Sequence, residues 1–258
     1  MPEGLTHRLR QALELKAPAL AELQHDYTDF LVSCISRFTD EYRPLAKYIS
    51  LHGHTLLHRR EIAFSWQMVN AGYLSVKSGL HVLTDFRNQD MAAGGIGTPM
   101  AAIIDRDLFP EFNICINLGG IANITIKRNT SVEAYDLAPC NQVHNYYASE
   151  LGELMDKDGF LCRDVLPDNS LVNKLMTSDY VLGSSPKYID NAWIQKKWIK
   201  DIIGHDLDPA VCLRSHYEFL ALLIANVCRD ETKVLVTGGG AKNSFFIELL
   251  KEKAREAQ

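Results

Sequence analysis

The chain has 258 residues, with 27 Lys+Arg against 32 Asp+Glu (net charge −5) and 47% hydrophobic residues. That composition supplies ample core for one large domain or two small ones, and the mild acidity argues against nucleic-acid or anionic-membrane partners, which call for a basic excess. The opening has no apolar core of signal-peptide length, no stretch reaches the ~20 apolar residues of a bilayer span, and six scattered cysteines form neither a zinc-type cluster nor a disulfide scaffold.

In chain order, the first fifty residues read as helix. Leu9, Leu13 and Leu15 mark one segment, and Leu20, Leu23, Tyr27, Phe30, Leu31, Cys34 and Ile35 a second at helical spacing, with Pro18 at its start. The run "AKYISLHGHT" reads as a strand ending in a polar loop, and "AFSWQMVNAGYLSVKSG" as a further helix closed by Gly79. A strand, "LHVLTDF", precedes the glycine-rich loop "RNQDMAAGGIGTPM", and "AAIIDRDLF" is a helix or turn. Next come two strands joined by Gly119-Gly120 and then a third. A mostly helical stretch follows, and the chain closes with strand "KVLVT", loop "GGGAKN" and helix "SFFIELLKEKAREAQ". Strands alternating with helices predict an α/β fold, and the blocks suit two lobes around a cleft, residues 1–112 and 113–258.

Four polar, glycine-rich segments follow apolar runs, where an α/β fold binds ligands. "SLHGHTLLH" holds His52, His54 and His58 without an accompanying carboxylate set, so polar contact with a substrate is a better reading than a metal site; loop histidines with no role remain the alternative. "TDFRNQDMAAGGIGTP" places Asp85, Arg87 and Asp90 before Gly94, Gly95 and Gly97. Carboxylates beside permissive backbone suit general-base chemistry near a phosphate, while a surface turn with an Asp–Arg pair is the competing reading. "INLGGIANITI" offers a Gly-Gly turn flanked by Asn117 and Asn123, either an anion nest or a purely geometric hairpin. In "VLVTGGGAKNSFF", three glycines between strand and helix let a nucleotide approach the backbone; a plain αβ-unit turn is the alternative, less attractive because one glycine would serve it. Neither GxGxxG nor GxxxxGK[ST] is matched, which argues against a Rossmann or Walker site.

The strings "HGHTLLHR", "TDFRNQDMAAGGIGTPM", "NLGGIANIT", "MDKDG", "SPK" and "VTGGGAKN", in this order, resemble the anhydro-N-acetylmuramic acid kinases of the sugar kinase/Hsp70/actin superfamily. The resemblance implies a two-lobed, actin-like (ribonuclease H-like) architecture. It also implies a cytoplasmic, ATP- and Mg²⁺-dependent enzyme of peptidoglycan recycling that opens the 1,6-anhydro sugar and phosphorylates O6. Carried over by position, Asp90 is the base on water, with Asp85 the fallback. His52, Thr55 and Arg87 lie on the sugar side. Gly119, Gly120, Asn123, Asp136 and Asn141 serve phosphate, with Asp136 also open to Mg²⁺, and Gly238, Gly239, Gly240 and Asn243 face adenosine. The expected partners are an amino sugar and ATP, with a homodimer left open.

Departures from the family pattern accompany it. "YDLAPCN" has Ala138 and Cys140 where glycines are usual, His54 stands at a Gln position, and "SPKYIDNAW" keeps Pro186 and Lys187 but not what usually follows. The resemblance further implies that the chain starts beyond the family's first strand and "GTSxDG"-like loop, leaving the N-terminal lobe incomplete, and stops soon after the GGG loop. A catalytically silent sugar- or nucleotide-binding remnant, or another amino-sugar kinase such as one for N-acetylglucosamine, are the alternatives.

Overall fold

The computed structural model describes all residues except 44, 96, 98, 130, 186, 205, 230–232 and 257–258, so the expectation attached to Pro186 lies outside the described residues. The chain is a mixed α/β protein that divides into two compact units, Met1–Met100 and Ala101–Gln258.

The first unit opens with helix α1 (Glu3–Arg10), a 3₁₀ turn (Ala12–Glu14) and the long helix α2 (Ala17–Tyr42), which carries Pro18 in its first turn. There a missing N–H costs nothing, because the first helical amides have no intrahelical acceptor. Leu9, Ala12 and Leu23 of these helices pack with Leu56 and Met68 into a small core. The next strands, β1 (Tyr48–Ser50), β2 (His54–Arg59) and β3 (Phe64–Met68), are followed by helix α3 (Ala71–Ser78), strand β4 (His81–Leu83) and helix α4 (Phe86–Ala92). β1 pairs in parallel with β4, and β2 pairs antiparallel with β3. The amide of Asn70, the N-cap residue of α3, donates to Thr28 Oγ1 (3.1 Å), tying this helix to α2.

Three expectations are corrected in this unit. Residues 63–79 are not one helix, because Phe64–Met68 pairs as a strand and the helix begins only after the Asn70 cap, although it does end at Gly79. The polar loop predicted after the first strand is only partly a loop, since His54–Arg59 forms β2. The glycine-rich loop predicted from Arg87 is also shorter, since Phe86–Ala92 is helical. Its residues include no helix breaker before Gly94, and Arg87 and Asp90 therefore stand on α4.

The second unit begins with helix α5 (Pro99–Leu108), whose first two residues fall just before the boundary. It continues through β5 (Ile114–Leu118), β6 (Ile121–Arg128) and β7 (Ser131–Pro139). Helices α6 (Asn141–Glu150), α7 (Asn169–Met176), α8 (Asp179–Leu182) and α9 (Asn191–Trp193) follow, the last running into a π-helical stretch, Ile194–Ile203. Helix α10 (Pro209–Val227), strand β8 (Val234–Thr237) and helix α11 (Ser244–Glu256) complete it. The sheet order is β7-β6-β5-β8, with β8 parallel to β5 and the other pairs antiparallel. Both glycine signals thus lie where the sequence places them, Gly119-Gly120 between β5 and β6 and Gly238–Gly240 after β8. Helix α10 is long and apolar enough to cross a membrane by composition, but it packs against α6, α7 and α11, and most of its residues are buried in the core of this unit.

Candidate functional site

In the first unit, the carboxylates and histidines gather around β2, β3 and α4. Strand β3 turns Ser65 and Gln67 inward, 1% and 8% exposed, while Phe64 is 42% exposed. The polar residues are buried because α4 and β2 supply partners for Ser65. Asn88 Oδ1 accepts from Ser65 N (2.7 Å), and Asn88 Nδ2 donates to Ser65 O (2.8 Å) and to Asp85 Oδ1 (2.6 Å). Ser65 Oγ donates to Leu57 O (3.0 Å), accepts from Gln67 Nε2 (2.7 Å) and lies 3.2 Å from His58 Nδ1. Asp85, the residue just before α4, has φ 66°, a left-handed conformation uncommon outside glycine but best tolerated by Asn and Asp.

Arg87 and His52, both assigned to the sugar side, are brought together. Arg87 Nε donates to His52 Nε2 (3.0 Å), while His52 Nδ1 lies 2.9 Å from Gly53 O and donates there. Thr55 lies on β2 opposite Gln67. Burial pushes the His54 imidazole down from its ordinary range, favouring the neutral ring. Asp90 faces the glycine loop: its Oδ2 accepts from Gly97 N (2.8 Å), and its backbone carbonyl accepts from Gly95 N (2.8 Å). A Cβ on Gly95 would come within 2.2 Å of Asp90 Oδ2, so the close approach of loop to carboxylate requires glycine there.

In the second unit, register puts four polar residues side by side across the sheet. Thr237 of β8 is opposite Asn117 of β5, Asn117 opposite Asn123 of β6, and Asn123 opposite Asp136 of β7. Directly opposed residues share a face, so a polar row crosses strands whose neighbouring residues Ile116, Leu118 and Ala122 are fully buried. Asp136, itself buried, accepts from Asn123 Nδ2 and from Ile189 N (3.0 Å), and Tyr180 Oη donates to its backbone carbonyl. Lys187 belongs to the same corner. Its carbonyl accepts from Asp136 N (3.0 Å), its Nζ donates to Val181 O (2.7 Å) over the Tyr180 ring, and burial lowers its pKa.

Asn141, the first residue of α6, joins three loops. Its backbone N–H donates to Gly119 O (3.1 Å), its Nδ2 donates to Leu118 O (2.9 Å), and its amide borders Gly239 and Gly240. Gly120 O accepts from both Cys140 N and Gln142 N (3.1 Å each), so the hairpin carbonyls take up amides at the start of α6. Gly238 has φ 84°, and a Cβ there would lie 2.3 Å from Asn117 Oδ1, so residue type and packing both demand glycine at that point. Asn243 is engaged as the N-terminal cap of α11: Oδ1 accepts from Phe246 N (3.1 Å), and Nδ2 donates to Asp156 O (3.1 Å) and Tyr217 Oη (3.0 Å).

Sequence reasoning missed Asn88 and the buried groups behind Asn141, namely His144, His216 and Trp198. Asn88 carries a faint local signal, standing three residues after Asp85, in the first turn of the helix that Asp85 precedes. His216 carries none, because its hydrogen-bond partner His144 is 72 residues away.

The architecture defines a mixed α/β protein whose four-stranded sheet has glycine turns between β5 and β6 and after β8. A family model described as anhydro-N-acetylmuramic acid kinase matches residues 1–258, and the chain belongs to that family. Curated anhydro-N-acetylmuramic acid kinases resemble it moderately. That of Aliivibrio fischeri is 34% identical over 215 residues, covering 78% of this chain and 59% of the relative. That of Nitrosospira multiformis is 30% identical over 220 residues, covering 81% and 60%. That of Vibrio parahaemolyticus is 28% identical over 261 residues, covering 94% and 69%. The chain therefore spans about three-fifths of the length of the first two. The solved structure of the Lmo2764 protein from Listeria monocytogenes superposes at a TM-score of 0.35 and 14% identity over 88% of this chain and 77% of that one, a likeness too weak to inform fold or activity.

Proposed function

We propose that the chain acts as an ATP-dependent kinase that opens the 1,6-anhydro ring of anhydro-N-acetylmuramic acid and phosphorylates O6, giving N-acetylmuramic acid 6-phosphate in the cytoplasmic recycling of peptidoglycan. The observation that carries this reading is the family match along the full chain, which includes the carboxylate loop, the hairpin and the triple-glycine loop. In the same reading, residues 1–112 and 113–258 are portions of the two lobes of an actin-like kinase.

The chemistry divides among the residues as follows. Water attacks the anomeric carbon and gives a proton to Asp90, whose carboxylate is held at the glycine loop by Gly97 N. The bond from that carbon to O6 breaks, its electron pair stays on O6, and O6 attacks the γ-phosphorus as ADP leaves. Asp85 is the alternative base. His52, Arg87 and Thr55 hold the sugar through polar contacts, the His52–Arg87 hydrogen bond fixing the imidazole. Backbone around Gly119 and Gly120, with Asn123 and Asn141, serves the phosphates, while Gly238, Gly239 and Gly240 take the adenosine end. Asn243 contributes there by holding α11 in place.

Mg²⁺ fits the donor chemistry of the polar row. Asp136, Asn117 and Thr237 present oxygen atoms, and Mg²⁺ is commonly held by one or two carboxylates plus phosphate oxygens and waters. Asp136 Oδ1 accepts from Asn123 Nδ2 and Oδ2 from Ile189 N, which orients the carboxylate within that row. Such an ion would neutralise charge on the transferring phosphoryl group.

The silent-remnant reading rests in part on Ala138 and Cys140 in place of glycines. Cys140 adopts φ −134° and ψ −113°, so its φ lies outside the left-handed region that calls for glycine. An ADP-release assay with anhydro-N-acetylmuramic acid, N-acetylglucosamine and no sugar tests the assignment. Release with the anhydro sugar alone supports it. Release only with N-acetylglucosamine transfers the chain to another amino-sugar kinase, and tight binding of either sugar without ADP release favours the silent reading.

A further inference from the structure

Behind Asn141 lies a chain of buried groups that the proposed chemistry does not use. Trp198 Nε1 donates to His216 Nε2 (3.1 Å), His216 Nδ1 lies 3.1 Å from His144 Nε2, and His144 Nδ1 lies 3.4 Å from Asn141 Oδ1. Both histidines and Trp198 are essentially without solvent exposure. An indole N–H can only donate, and that sets the direction of every later bond. His216 Nε2 accepts, so its proton is on Nδ1 and is given to His144 Nε2. His144 then carries its own proton on Nδ1 and gives it to Asn141 Oδ1. The Asn141 amide is left with Nδ2 facing outward to Leu118 O (2.9 Å). Burial lowers both imidazole pKa values, His216 to about 3, in keeping with two neutral rings. Tyr217 stacks on His144 at 3.9 Å between ring centroids and accepts from Asn243 Nδ2, so the same layer supports the cap of α11.

We propose that Trp198, His216 and His144 form a directional positioning relay that fixes the orientation of the Asn141 amide, and through it the seat of the Gly238–Gly240 loop. These are positioning residues, since they lie behind Asn141 in the core. The consequence for nucleotide rests on the reading of that loop given under Proposed function; the relay itself does not. Without the relay, the Asn141 amide can rotate, exchanging a donor for an acceptor toward Leu118 O and leaving that carbonyl without its Asn141 hydrogen bond. Losing one neutral hydrogen bond of about 0.5–1.5 kcal/mol corresponds to a roughly two- to tenfold weaker nucleotide affinity.

The test is nitrogen-15 NMR of the full chain with ATP·Mg²⁺ titration, on the wild type and on His144→Leu, His216→Leu and His216→Gln. Glutamine supplies both an acceptor for Trp198 and a donor for His144. The relay predicts Nδ1–H neutral tautomers for both histidines. It also predicts a shifted Asn141 side-chain amide resonance in both leucine variants and its restoration in His216→Gln. Where the wild type binds ATP·Mg²⁺, the leucine variants bind it two- to tenfold more weakly and the glutamine variant binds it normally. An Nε2–H tautomer at either histidine, or an unmoved Asn141 resonance in a folded leucine variant, overturns the proposal. Should the leucine variants fail to fold, the wild-type tautomers and the glutamine variant decide it. A wild type that binds no nucleotide counts against the assigned nucleotide loop, while the tautomers and the Asn141 resonance still judge the relay.

Discussion

Asp90 and Asp85 differ by five positions and stand in different surroundings. The Asp90 carboxylate accepts from a loop amide, Gly97 N, and fills the space left by the missing side chain of Gly95. Asp85 is a left-handed residue whose Oδ1 accepts from Asn88 Nδ2, and Asn88 in turn holds the backbone of Ser65. A base needs a carboxylate beside the reacting water, and the glycine backbone that closes on a carboxylate is at Asp90. Asp90→Asn should lower turnover by at least two orders of magnitude, within the range set for general-base catalysis, while ATP binding measured by calorimetry stays unchanged. Full turnover in that variant moves the base to Asp85. The polar loops marked both carboxylates and His52, and Asn141 came only from the family resemblance of YDLAPCN. The sequence could not mark His144 and His216, since nothing near either one in the chain indicates that they meet in the core.

Elements were legible where glycine or proline punctuates an apolar run. Pro18 opens α2, Gly79 closes α3, Gly119-Gly120 separates β5 from β6, and Gly238–Gly240 separates β8 from α11. They were not legible where long-range partners invert the usual pattern. Strand β3 buries Ser65 and Gln67 and exposes Phe64, the reverse of an apolar-in alternation, because Asn88 and His58 come from elsewhere to meet Ser65. Helix α4 was hidden by its neighbours, since the glycines that suggested a loop begin only after its end. At the element scale, the clearest energetic prediction concerns α11. Asn243 caps the amide of Phe246 and also bonds Asp156 O and Tyr217 Oη. Asn243→Ala should cost about 1–2 kcal/mol of stability, measured by urea unfolding. A change under a few tenths of a kcal/mol would remove Asn243 from the scaffold.

At the scale of the whole molecule, each unit has its own apolar cluster, a small one around Leu23 and Met68 and a larger one spanning the sheet, α6 and α10. The larger core holds the two neutral histidines. Their folded pKa values lie below the ordinary 6.5 because burial disfavours the charged ring, with His216 near 3. The titratable neighbours Cys140 and Tyr217 are pushed upward by burial, Cys140 to about 12, and so stay uncharged through the acid range. Below pH 6.5 the unfolded chain therefore binds protons that the folded chain does not. Stability should be full above that pH and decline as pH falls toward 3, by about 1.4 kcal/mol per pH unit for each histidine at most. Urea unfolding between pH 7 and pH 5 checks the slope, and a His144→Leu/His216→Leu double variant should flatten it, the remainder belonging to groups such as His54.

The proposed reaction of this chain couples ring opening to phosphoryl transfer. Mass spectrometry of the sugar after incubation with anhydro-N-acetylmuramic acid, ATP and Mg²⁺ tests it most directly. The expected product is heavier than the starting sugar by one water and one phosphoryl group and is formed in equal amount with ADP. A sugar recovered unchanged from a reaction in which it and ATP are both bound, or one opened by water without gaining phosphate, would contradict it.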